Sequence, residues 1–203
     1  IVEVENAYKR LQEWTVGDRM LGDIMRGMTP ADAQQAEWRR GTLPPGQLGW
    51  RRAIALRDQC ALLAAEALRY RGVDPQAYDI DIDLGSGRRL TGTVSPVFGE
   101  RLVSVTYSKL GGKHLLASWI PLLALAAGYP RRDWSAVCIG RPKRGDTPRT
   151  AGLGRPDDPV ALLADLVAIY DAGRREPLPL PVKTSFAWAE ARHAGDDPER
   201  AAG

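Results

Sequence analysis

The sequence predicts an α/β (α+β) protein in which a mixed sheet is flanked by helices and preceded by a helical portion. Three observations carry this expectation. Helical start signals and helical spacing dominate the first 72 residues. A strict alternation, "YDIDIDL", opens three successive strand patterns between 77 and 108. An apolar helical pattern then separates these from a fourth short strand, "WSAVCIG" (134–140). The organisation expected is a helical portion over 1–72, an α/β core over 73–195 and a polar, frayed tail over 196–203.

In chain order, "NAYKRLQEWTVGDRMLGDIM" places Leu11, Trp14, Met20, Leu21 and Ile24 at roughly helical spacing, and Gly17 predicts a break into two short helices. Thr29 as cap, Pro30 at the first helical position and Asp32 in the first turn predict a third helix. After "GTLPPGQLG", the run from Gly49 to Tyr70 offers Ile54, Leu62, Leu63 and Leu68 for one stripe, with Gly72 placed to end it. Gly85-Ser86-Gly87 turns the first strand, and Phe98-Gly99-Glu100 joins strands over 88–97 and 101–108. The next helix, about 112–127, is apolar nearly all round, and Pro121 should kink or divide it. Strand 134–140 follows a helical crossover and so is placed beside the three-strand meander. Residues 141–156, rich in Gly, Pro and Arg, read as a loop. "DDPVALLADLVAIYDAG" starts with acids and Pro159 and ends at Gly173; "REPLPLPVKTS" must be extended, and a last helix covers about 185–193.

Composition narrows the function classes. At 203 residues with 44% apolar and 26% charged content the chain can bury a core. A surplus of 28 Lys and Arg over 25 Asp and Glu is too small to establish a nucleic-acid partner without clustering. The longest apolar run, Leu115 to Ala127, is interrupted by Pro121 and is shorter than the roughly 20 residues of a membrane span. Cys60, Cys138, His114 and His193 make neither a disulfide framework nor a zinc set, which fits a reducing cytoplasm. A start at "IVEVENAYKR", without Met or a signal-like segment, reads as part of something longer.

The order helix, three-strand meander, apolar helix, strand, helix resembles the restriction-endonuclease-like (PD-(D/E)XK) fold of RecB-type nuclease modules. That family ends one strand with an Asp and carries D/E-x-K on the next, because residues i and i+2 share a face and converge on one metal-bound water. Laid on this pattern, "GTVS" puts Ser95 in place of the first acid, and "VTYSK" puts Thr106 and Ser108 in place of the second acid and the lysine. None of the three can replace an anionic ligand or a cation. Lys109 is one residue off and so turns to the opposite face, with Val103, Val105 and Tyr107. Where such nucleases carry Gln followed by an aromatic, this chain reads "SWIPLLAL".

The phrases "AEWRRGTLPPGQLG" (36–49), "LTGTV" (90–94), "YSKLGGKHLLASWIPLLALAA" (107–127) and "REPLPLPVKTSFAWAEA" (175–191) resemble the C-terminal region of actinobacterial RecC, the gamma subunit of exodeoxyribonuclease V. The resemblance implies a catalytically inactive relative of the RecB nuclease module. Such a domain works as scaffold in a helicase-nuclease that processes double-strand breaks, with the RecB and RecD subunits and DNA as partners and no cofactor of its own.

Several features have plainer readings. Asp79, Asp81 and Asp83 read as the solvated face of a strand, since alternate residues rise about 6.6 Å and cannot readily crowd onto one magnesium at about 2.1 Å. The cluster Arg141, Lys143, Arg144, Arg149 and Arg155 is a candidate contact for DNA or an acidic partner, or else a solvated loop. "PLPLP" reads as a strap across its own domain, "LGGKH" lacks the elements of a phosphate loop, and the tryptophans read as packing groups. Two other functions stay in view. One is an active metal-dependent DNA nuclease with migrated ligands such as Asp81 or Asp83. The other is an autonomous nucleic-acid-binding module.

Overall fold

The computed structural model describes residues 2–142, 144–178 and 181–195, with side chains from Gln12 onward apart from Val182. The expected frayed tail and the middle of "PLPLP" therefore lie outside the described residues. The helices are α1 (Val2–Met25), α2 (Pro30–Arg39), α3 (Gly46–Leu68), α4 (Gly112–Gly128), α5 (Pro159–Arg175) and α6 (Val182–Ala194). The strands are β1 (Pro75–Gly85), β2 (Arg88–Phe98), β3 (Arg101–Lys109), β4 (Ser135–Arg141) and β5 (Arg149–Leu153), hydrogen-bonded in that order. The meander is antiparallel. Ser135 N donates to Glu100 O where β3 and β4 begin and Leu110 N to Arg141 O where they end, so β4 runs parallel to β3. The sheet is mixed, as expected, and β4 lies beside the meander.

Two compact units divide the chain: one combines segments 1–74, 103–110 and 137–151, the other 75–102, 111–136 and 152–203.

In the first unit α1, α2 and α3 pack together. Thr29 Oγ1 accepts from Asp32 N and starts α2 as its sequence predicts. Three expectations fail here. α1 does not break at Gly17 but runs through it, because this glycine makes room for the ring of Tyr107 rather than for a turn. The buried stripe of α3 is Ala53, Leu56, Cys60, Leu63, Ala64 and Ala67, whereas Leu62 and Leu68 are exposed. Small side chains at 53, 60, 64 and 67 let the helices approach, so the buried face follows shape rather than greatest hydrophobicity. The helix also ends at Leu68, capped by Arg69, before reaching Gly72. Val103, Tyr107, Leu110, Cys138 and Ile139 are buried in the same unit. Burial pushes the Cys60 thiol up to about 12, and its Sγ donates to Gly17 O at 3.3 Å.

In the second unit the alternation of β1 is realised: Tyr78, Ile80 and Ile82 are buried while Asp79, Asp81 and Asp83 are exposed. Burying Ile80 and Ile82 stabilises by roughly 1.5–3 kcal/mol each. α4 and α5 pack on β1, and the core gathers Ile80, Ile82, Val97, Leu122, Leu123, Leu125, Trp134 and Leu163. Pro121 does not divide α4. α5 starts on Asp158, whose carboxylate accepts from Ala161 N. It passes through Gly173, which the sequence marks as its end; a Cβ there would sit 3.3 Å from Leu178 Cδ1, so this glycine admits the returning chain. The loop expected over 141–156 contains β5. Its sequence, "RTAGL", has neither the length nor the alternation that announces a strand, and it lies at the sheet edge.

Candidate functional site

Ser95, Thr106 and Ser108, the residues that the sequence comparison lays on a nuclease's ligand positions, all carry hydroxyls. Ser95 is exposed on β2, in the second unit. Thr106 and Ser108 lie on β3 in the first unit, two residues apart and hence on one face. Both oxygens of this pair are engaged within the chain: Ser108 Oγ accepts from Trp14 Nε1 at 3.0 Å, and Thr106 Oγ1 accepts from Ser108 N at 3.1 Å. They brace α1 and β3, and they offer no charge to a cation.

The strand acids are committed as well. Asp81 takes both prongs of Arg89, at 2.7 and 2.6 Å, and this hydrogen bonding holds its carboxyl below the usual range. Asp79 accepts from Thr93 Oγ1 at 3.0 Å, and Asp83 accepts from Gly85 N at 2.8 Å. Among the described residues no group of three or more His, Cys, Asp or Glu side chains is placed to hold a metal ion. No helix among them is long and apolar enough to cross a membrane.

The basic cluster separates into parts. Arg155, in the second unit, donates to Pro130 O at 2.6 Å and Arg132 O at 3.3 Å, so its guanidinium braces a loop. Arg149 is exposed on β5, and Lys143 lies outside the described residues. Arg141 and Arg144, however, come together with Lys109 around a cavity of about 180 Å³ that Gln59 and Asp146 complete. The guanidinium of Arg141 lies 4.3 Å from the ring centroid of Tyr107, the Tyr107 hydroxyl donates to Gln59 Oε1 at 2.8 Å, and burial raises the Tyr107 pKa while Arg141 opposes this. Sequence reasoning set Lys109 aside and did not find Gln59, Tyr107 or Asp146. The available signal was parity, since Tyr107 and Lys109 share a face of β3. A larger cavity, about 650 Å³ beside Leu43, Pro44 and Leu48, contains none of the candidate residues.

Residues 5–193 match the family described as the RecC C-terminal domain. The chain belongs to the RecC C-terminal domain family. It is 86% identical over 193 residues to the RecBCD enzyme subunit RecC of Mycolicibacterium smegmatis, covering 95% of this chain and 18% of that protein. With the RecBCD enzyme subunit RecC of Mycobacterium tuberculosis it shares 61% identity over 188 residues, covering 93% of this chain and 17% of that protein. The RecC C-terminal domain thus spans less than a fifth of the length of these relatives. The phrases at 36–49, 90–94, 107–127 and 175–191 fall inside the matched region.

Proposed function

We propose that this chain is a non-catalytic scaffold domain of a RecC subunit, working in a cytoplasmic RecBCD helicase-nuclease that processes DNA double-strand breaks. It contacts the RecB and RecD subunits and DNA, and cleavage and unwinding reside in other subunits. The region 73–195 is a restriction-endonuclease-like core that has lost its chemistry. A meander, a helical crossover through α4 and a parallel β4 support that ancestry. The observation that carries the reading is the engagement of Thr106 and Ser108. The positions that would supply an acid and a lysine instead supply hydroxyls, and these are bound to the chain's own backbone and to Trp14. A hydrolytic magnesium site requires anionic oxygen ligands there. Capture of RecB and RecD from a co-expressing cell by the tagged chain tests the scaffold role. Retention of both subunits is expected, and a chain that retains neither contradicts it.

A further inference from the structure

The cavity at the joined ends of β3 and β4 is built to take an anion. Gly140 sets up its geometry: a Cβ there would lie 3.0 Å from Leu110 Cβ and from Ser108 O, so the two strands approach without an intervening side chain. Lys109 at the end of β3 and Arg141 at the end of β4 are thereby neighbours. Arg141 is backed by the face of Tyr107, which restrains a planar fork suited to oxyanions. Its Nε is buried and has no hydrogen-bond partner among the described residues. Gln59 has its carbonyl oxygen occupied by the Tyr107 hydroxyl, which leaves its amide NH2 as donor. Three cations and an amide therefore face a single carboxylate, Asp146.

Size selects among anions. At about 180 Å³ the cavity falls below the roughly 300–1,000 Å³ of sites that enclose a whole small molecule, so it accommodates one group of a longer chain. Phosphate suits such a site because its oxygens accept from a guanidinium fork and from a point charge together. Arg149, exposed on the neighbouring edge strand, offers a further cation to a polymer with repeated charge.

We infer that Lys109, Arg141 and Arg144 form a phosphodiester-binding site for the DNA backbone, with Gln59 as an additional donor and Asp146 limiting its affinity. The choice of DNA over another polyanion rests on the function proposed above. The site carries no base information, since backbone contacts position a nucleic acid without reading it.

The test uses the assembled RecBCD complex containing RecC with Lys109→Ala and Arg144→Ala together, both exposed side chains whose loss spares the core. Binding of a fluorescent DNA duplex is followed by anisotropy across a potassium chloride series with EDTA and no nucleotide. The double variant should bind roughly three- to tenfold more weakly, with a salt slope shallower by about one. Asp146→Asn should bind more tightly, a gain that misfolding would not produce. Unchanged affinity and slope in an intact complex would overturn the site, as would weaker binding by Asp146→Asn. Loss of RecB or RecD from the variant complex, with DNA binding by RecC itself unaltered, would show a protein-docking surface and overturn it too. Assembly of the unaltered complex is checked first, which separates failure of this site from failure of the scaffold role.

Discussion

A Cβ placed on Gly17 would lie 2.2 Å from Cε1 of the Tyr107 ring, so α1 and β3 meet at a point where only hydrogen fits. Two effects oppose each other at this position. Alanine favours a helix interior by roughly 0.5–1 kcal/mol over glycine. Overpacking a well-filled core costs about 1–3 kcal/mol, and Tyr107, 1% exposed and hydrogen-bonded to Gln59, has little room to retreat. Gly17→Ala should therefore destabilise this unit. Hydrogen exchange of the RecC subunit should be faster over residues 12–25 and 103–110, and Tyr107→Leu in the same chain should restore part of the protection. Slower exchange in Gly17→Ala would mean that propensity outweighs packing.

Glu37 is fully buried and is held by Arg19 through bonds of 3.1 and 2.8 Å and by Arg40. The arginines are 38% and 47% exposed at their side chains, so removing either side of the cluster has unequal consequences. Arg19→Ala leaves a buried carboxylate with one partner and should cost roughly 1–3 kcal/mol, the range for a buried polar group that loses part of its hydrogen bonding. Glu37→Met leaves two cations that can rehydrate and should cost less. Exchange protection over α1 and α2 ranks the two variants, and the reverse order would contradict this account.

At the start of α4, Gly111 N donates to His114 Nδ1 at 3.2 Å and His114 N donates to Gly111 O at 2.9 Å. Burial, aided by the adjacent Lys113, holds His114 below its ordinary 6.5. Because the folded pKa is depressed, the neutral ring is the stabilising form. Its contribution is complete above about 6.5 and is lost as pH falls toward the folded value. Amides of residues 112–118 should thus lose protection on acidification beyond the intrinsic rate change. His114→Asn, which keeps an acceptor without titrating, should flatten that response. Equal pH dependence in both chains would exclude the cap as its cause.

Much of this fold is legible in the sequence because its signals are local. The alternation at Tyr78 to Asp83, the Thr29-Pro30 start and the Gly99 turn each act within a few residues, and each appears where expected. The misreadings share a physical cause: partners outside the element being read. Gly17 and Gly173 resemble helix breakers and are clearance for Tyr107 and Leu178. The α3 stripe follows the shape of α1 and α2, and β5 is ordered by its neighbour in the sheet rather than by its own residues. The site follows the same rule. The hydroxyls of Thr106 and Ser108 are visible in one dimension, but the meeting of Lys109, Arg141, Arg144, Gln59 and Asp146 requires the parallel pairing of β3 with β4.

Incubation of purified RecC with linear DNA in magnesium and in manganese asks whether this domain retains hydrolytic chemistry. No cleavage above the metal-free control is predicted, with or without Lys109→Ala. Metal-dependent cleavage that disappears in Lys109→Ala would contradict the account.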